Sequence, residues 1–300
     1  MKKIVFKGCG TAISTPFDEN GVNLKEFERL VNFQIENGVD AIIVCGTTGE
    51  ASTLTEEEKD ATISCAVKTS NGRVPIIAGT GGNNTKKVIE NSKKAENLGV
   101  DGLLIVTPYY NKCTQKGLVE HYKLISESVS LPIILYSVPS RTGVNILPET
   151  CLELSKIDNI IAIKEASGNL SQVAEIAHLC GDNLHIYSGN DDQILPVLSL
   201  GGLGVISVLS NVKPQYTHDM VQNFLDGNIE KAIKMQLDAL PLIKALFSEV
   251  NPIPVKAGLN HIGFDFGIPR LPLTKLSTDK EQKLIKELDK LNYSNTQFCF

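Results

Sequence analysis

No run of apolar residues in this 300-residue chain reaches the roughly 18 that a membrane span needs. The opening stretch, MKKIVFKGCG, is too short in its apolar part for a secretion signal. A cytoplasmic setting is therefore expected, with no membrane partner. Positive charge is not in excess either: 29 Lys and Arg stand against 34 Asp and Glu, a formal net charge of -5. A nucleic-acid partner needs Lys and Arg clustered on one face, so small molecules are the expected ligands. The seven cysteines (Cys9, Cys45, Cys65, Cys113, Cys151, Cys180 and Cys299) include no C-x-x-C pair and no His at zinc-ligand spacing. They suit a reducing compartment and read as ordinary thiols, with Cys113 set apart by its place beside the run TPYYNK. No Gly-rich dinucleotide fingerprint is present, because Gly79-Thr-Gly81 and Gly202-Leu-Gly204 both lack the third glycine, and there is no P-loop. The five histidines (His121, His178, His185, His218 and His261) make neither H-x-H nor H-E-x-x-H, so a metal-dependent aldolase or hydrolase lacks its ligands. Neither a metal nor a cofactor is expected.

What is present is a balance of 42% hydrophobic and 21% charged residues, that of a globular protein. At this size roughly 12,000 Å² is exposed when folded against roughly 47,000 Å² unfolded, so a large core is assured. Short apolar runs bounded by Gly or Pro lie near Thr11–Ser14, Ala41–Val44, Pro75–Ala78, Gly102–Val106, Pro132–Leu135, Ile160–Ile163, His185–Tyr187 and Gly204–Ser207. They are continuous and do not alternate, as parallel strands covered on both faces do. Helical patterns separate them, with start signals at Asn23-x-x-Glu26 and Thr55-x-x-Glu58. Strict alternation allows an open doubly wound sheet or a closed barrel, and eight repeats within about 210 residues favour a (β/α)8 TIM barrel over residues 1–226. Residues 227–300 show no strand pattern and read as a small C-terminal helical appendage. One helix there is marked by Ile229, Ile233 and Leu237, and another is capped by Thr278-x-x-Glu281 with Leu284, Ile285, Leu288 and Leu291 as its apolar stripe.

A barrel of this kind places its active site at the C-terminal ends of the strands. The residues there are Cys45-Gly-Thr-Thr-Gly-Glu50, Thr107-Pro-Tyr-Tyr110, Tyr136, Arg141-Thr-Gly143, Lys164-Glu165 and Ser188-Gly-Asn-Asp191. Lys164 ends an apolar strand, where desolvation favours the free amine that a Schiff-base lysine needs. The same residue also reads as a rim lysine snorkelling to water or pairing with Glu165. Tyr136 is either a proton-passing phenol with Thr47 and Thr48 or a cap on the core. Arg141 either forks onto a carboxylate or is solvated, and Gly46-Thr-Thr-Gly49 is either a ligand-facing loop or a plain turn. A lysine, a tyrosine and hydroxyls without metal ligands or an acid dyad point to imine chemistry on a carbonyl substrate.

Taken together, Gly46-Thr-Thr-Gly-Glu50, Val106-Thr-Pro-Tyr-Tyr-Asn111, Leu135-Tyr-Ser-Val-Pro-Ser-Arg-Thr-Gly143, Ile163-Lys-Glu-Ala-Ser-Gly168, Ser188-Gly189 and Asn251-Pro-Ile-Pro-Val-Lys256 resemble the dihydrodipicolinate synthase family, in order and at its spacing. The resemblance implies a lyase that condenses pyruvate with L-aspartate-4-semialdehyde on the route to diaminopimelate and lysine. It implies Lys164 as the imine-forming amine and a proton relay of Tyr136, Thr47 and Tyr110, the last reaching in from a neighbouring subunit. Thr48 is implied on the pyruvate carboxylate, Arg141 on the semialdehyde carboxylate, and the backbone at Gly189 and Ile206 on the pocket floor. A homotetramer, built as a dimer of tight dimers, is the implied assembly.

Ser137, Asn190 and Cys113 depart from the family's usual Asn, Asp and Pro without removing a chemical role. Lysine-inhibited relatives bind lysine at the dimer interface, and Glu56, Lys59 and Lys87 fall at corresponding positions. A cationic Lys87 predicts weak or absent feedback, although Tyr109, Asn83 and Ala51 keep part of that site. Another Schiff-base pyruvate aldolase, of the 2-keto-3-deoxy sugar-acid or N-acetylneuraminate lyase type, is the nearest alternative, and Arg141 argues against it. A non-catalytic metabolite-binding barrel is the alternative from a different class, and the intact Lys164, Tyr136, Thr47 and Tyr110 argue against that.

Overall fold

The computed structural model describes residues 2–291; residues 292–300, with Cys299 and the end of the expected appendage, lie outside the described residues. Eight parallel strands form a closed barrel: β1 (Gly8–Ala12), β2 (Ala41–Val44), β3 (Ile76–Gly79), β4 (Gly102–Val106), β5 (Ile133–Ser137), β6 (Ile160–Glu165), β7 (His185–Ser188) and β8 (Gly204–Ser207). Sequence neighbours pair throughout, and β1 closes the ring on β8 with Gly8 opposite Gly204. The helices returning the chain are α1 (Leu24–Glu36), α2 (Glu56–Ser70), α3 (Thr85–Asn97), α4 (Gln115–Ser126), α5 (Pro148–Leu154), α6 (Leu170–Cys180), α7 (Ile194–Ser199) and α8 (Pro214–Leu225).

The apolar runs do not alternate because both strand faces are buried. Ile43, Ile77, Leu104 and Ile134 point into the barrel, while Ile42, Ile76, Leu103 and Ile133 face the helices. Each such side chain, fully withdrawn from water, contributes about 1.5–3 kcal/mol. The interior is packed solid at its N-terminal end, where Phe6 stacks on Tyr187 with ring centroids 4.4 Å apart.

The first strand lies earlier than the apolar run at Thr11–Ser14 suggests. Gly8, Cys9 and Gly10, ahead of that run, already pair with Gly204, Val205 and Ile206 of β8. A Cβ on Gly204 would stand 1.8 Å from the Gly8 carbonyl oxygen, so the two strands pair there only through glycine. Thr55 and Glu58 form the full reciprocal capping box of α2. Asn23 caps α1 by accepting from the Glu26 amide, but the Glu26 carboxylate turns away to Arg29 and the Asp265 amide.

After Gly227 come α9 (Ile229–Leu246), α10 (Ile253–His261) and α11 (Thr278–Lys290). The first of these exists where expected but rolls the other way: Ile229, Ile233 and Leu237 are 40%, 46% and 57% exposed, and Ala232, Met235, Ala239, Leu242, Ile243 and Leu246 are buried. The small alanines let α9 lie close on the barrel, and Gln236 on that face bonds the backbone of Asp191 and Leu195. The last helix is preceded by Ser277 rather than capped by Thr278, and Ser277 gives its hydroxyl to Glu249. Leu284 and Leu288 are buried as the stripe requires. All three helices share one continuous hydrophobic core with the barrel.

Candidate active site

Parallel register sets Tyr136 on β5 directly beside Lys164 on β6, at the mouth of the barrel. The Lys164 amine lies 4.5 Å from the centroid of the Tyr136 ring, and both side chains are buried. Alternation along β6 sends the next side chain outward: Glu165 accepts from the Ser167 amide and hydroxyl and from Gln172, and makes no ion pair with Lys164. Pairing with Glu165 is thus removed from the open readings of Lys164.

Burial lowers the Lys164 pKa to about 8, with Arg141 pushing it further down and Asp191 opposing. At pH 7 that leaves roughly one amine in ten unprotonated, against about one in three thousand for an ordinary lysine. Burial pushes the Tyr136 phenol up, while Arg141 and the Thr47 hydroxyl draw it down, so the phenol holds its proton at neutral pH. Asp191 is itself buried, accepting from the Ser207 hydroxyl and the amides of Val208 and Leu209. Its carboxyl is raised by desolvation, against those bonds and Lys164.

Lys164, Tyr136, Thr47, Thr48, Arg141 and Gly189 border one cavity of about 190 Å³. Gly189 sits over the lysine stem: a Cβ there would meet Ala166 Cβ at 2.6 Å and Lys164 Cε at 3.1 Å, so a side chain at this position would crowd the lysine. Thr48 is buried and Thr47 exposed at the rim. Arg141 is exposed, on a short helical turn at Pro139–Thr142, and has no ion-pair partner among the described residues. Two expected residues stand elsewhere. Ile206 packs inside the barrel and does not border the cavity, where Val208 does. Tyr110 is 92% exposed with a backbone φ of 72°, a strained setting, and does not border that cavity.

Asn190, from the expected strand-end run, also borders the cavity, as do Val208, Phe247 and Asn251, which residue chemistry did not single out. A larger space of about 480 Å³ lies outside the loop after β2 and shares Thr47, Tyr136 and Arg141 with the first. Glu56 there is already paired to Lys59 at 3.1 Å and to Lys87 at 3.2 Å. Cys113 borders neither cavity. No group of three or more His, Cys, Asp or Glu among the described residues is arranged to hold a metal.

A parallel barrel with one desolvated lysine and a phenol at its mouth defines a lyase of the carbonyl-condensing kind. The chain belongs to the dihydrodipicolinate synthetase family, whose sequence profile matches residues 5–291. It is 60% identical over 284 residues to the 4-hydroxy-tetrahydrodipicolinate synthase of Caldicellulosiruptor saccharolyticus, covering 94% of this chain and 96% of that one. The dihydrodipicolinate synthase structure from Thermotoga maritima superposes with a TM-score of 0.94 at 45% identity, covering 96% of this chain and 99% of that one. The chloride-inhibited enzyme from Acinetobacter baumannii, solved with pyruvate, matches at a TM-score of 0.92 and 41% identity, over 94% and 98% of the two chains.

Proposed function

We propose that this enzyme condenses pyruvate with L-aspartate-4-semialdehyde to give 4-hydroxy-tetrahydrodipicolinate, through an imine on Lys164. The observation that carries the reading is a buried amine of lowered pKa facing a small cavity beside a protonated phenol. The free amine attacks the keto carbon of pyruvate, and water leaves as the imine forms. Loss of a methyl proton gives the enamine, whose terminal carbon attacks the aldehyde. The substrate's own amine then adds to the imine carbon, closes the ring and expels Lys164 as amine, so one water is released overall. Tyr136 hands protons to the departing hydroxyl in this reading, with Thr47 as its neighbour. The buried Thr48 hydroxyl and the backbone at Gly189 suit a carboxylate beside the amine. Arg141, unpaired at the rim, suits the second carboxylate.

Tyr110 serves the site of a partner subunit in this reading, which accounts for a strained and exposed tyrosine, and two such dimers form a homotetramer. A cytoplasmic setting fits the free thiols at Cys9, Cys45, Cys65, Cys113, Cys151 and Cys180, and no helix among the described residues is long and apolar enough to cross a membrane. Because two lysines already neutralise Glu56, activity holds in millimolar lysine; marked inhibition in a lysine titration is the contrary result.

The deciding experiment is incubation with pyruvate, reduction with borohydride and mapping of the adduct by mass spectrometry. A single modified Lys164 is expected. An unmodified Lys164, or a label elsewhere, overturns the mechanism.

A further inference from the structure

Asn251, in the turn between α9 and α10, belongs to the helical segment after the barrel, yet its side chain borders the cavity that holds Lys164. Its amide nitrogen donates to the Thr48 hydroxyl oxygen at 2.9 Å, across 203 residues of sequence, and both side chains are buried. A hydroxyl that accepts a bond from an amide keeps its own proton for another acceptor, and no acceptor for it is found among the described residues. The Asn251 carbonyl oxygen, buried in the same wall, has no partner either.

The same segment grips the loop again. Lys256 bonds Glu50 at 2.7 Å with both side chains 1% exposed, and its amine lies 3.9 Å above the Phe17 ring. Glu50 also accepts from the Arg270 amide at 2.9 Å. Its left-handed backbone, φ 53°, ends the run that carries Thr47 and Thr48. Such a buried pair holds geometry more than it stabilises, and here it fixes the far end of the loop while Asn251 fixes the hydroxyl.

We propose that Asn251 is a positioning residue that commits the Thr48 hydroxyl to donating into the cavity, so that it meets the substrate carboxylate without reorienting. This rests on Thr48 being the carboxylate ligand. An oriented donor strengthens anion binding because its dipole is aligned before the substrate arrives. It acts on carboxylate binding and leaves the lysine and the phenol alone.

The test is a double-mutant cycle on full-length enzyme with Asn251→Ala, Thr48→Val and the pair. It reads KM for pyruvate, kcat and the pyruvate concentration that half-saturates borohydride trapping, with melting temperature as the check on folding. Asn251→Leu, which keeps the volume without the amide, replaces Asn251→Ala if that variant does not fold. The expectation is an increase of about tenfold in KM and in half-saturation with kcat changed less than about threefold. Adding the change to Thr48→Val should cost less than about a further twofold. Effects that multiply in the pair overturn the positioning role while leaving Thr48 as the ligand. A Thr48→Val enzyme with unchanged KM overturns both.

Discussion

Lys164 is held in a place where its charged form is disfavoured, and that has consequences for stability as well as chemistry. Its pKa falls from the usual 10.5 to about 8 on folding, so between those values the unfolded chain binds more protons than the native one. Stability from this residue therefore rises with pH across that window and is lowest at pH 7 and below. Replacing it with methionine should abolish pyruvate trapping yet raise the free energy of unfolding at pH 7 by up to about 3 kcal/mol. Denaturant titration checks this, and a destabilised variant contradicts it. In the wild type, trapping at low pyruvate should climb as pH passes through about 8; a climb starting only near 10 would show the amine to be unperturbed. At this scale much of the site was legible. Lys164 and Tyr136 follow apolar runs, and strand ends are where a barrel exposes side chains. Asn251 and Phe247 were not legible as site residues from their chemistry, because they reach the mouth from a helical segment with no strand pattern to place it.

Among the elements, α8 is tied to the barrel by His218, whose Nδ1 lies 2.9 Å from Asp40, at the entry to β2. Asp40 also accepts from the Cys9 amide at 2.7 Å, so the pair spans helix, β1 and β2. The hydrogen bond and charge of Asp40 raise the His218 pKa against the opposing effect of burial. The stabilisation is complete below the unfolded value near 6.5 and fades as pH rises through the raised native value. His218→Gln should cost about 1 kcal/mol at pH 5.5 and little at pH 8.5, measured by thermal unfolding at the two values. An equal loss at both pH values means that packing, not charge, holds the contact. Element boundaries were readable where sequence signals are local, as in the Thr55–Glu58 box. They failed where a distant partner decided them: Gly204 made Gly8 a strand residue, and the buried face of α9 was chosen by its fit to the barrel rather than by its largest apolar side chains.

For the whole molecule, Tyr110 is the residue that a single subunit leaves unexplained. If it completes a partner's site, Tyr110→Phe and Lys164→Ala enzymes are each nearly inactive alone. Refolded together in equal amounts they should recover up to roughly a quarter of wild-type activity, because half of the dimers are hybrids with one intact site. No recovery in a mixture shown by sedimentation to contain dimers would confine each site to one chain. The sequence by itself determined the barrel, since eight apolar runs with helices between them bury both strand faces in few other ways, and it determined the chemistry of the rim, since strand ends are local features. Tertiary structure decided how deeply the lysine is desolvated, which face of α9 is hidden, and that the segment after the barrel supplies a wall of the cavity. Those outcomes depend on groups far apart in the chain, such as Asn251 and Thr48, whose meeting no local pattern specifies.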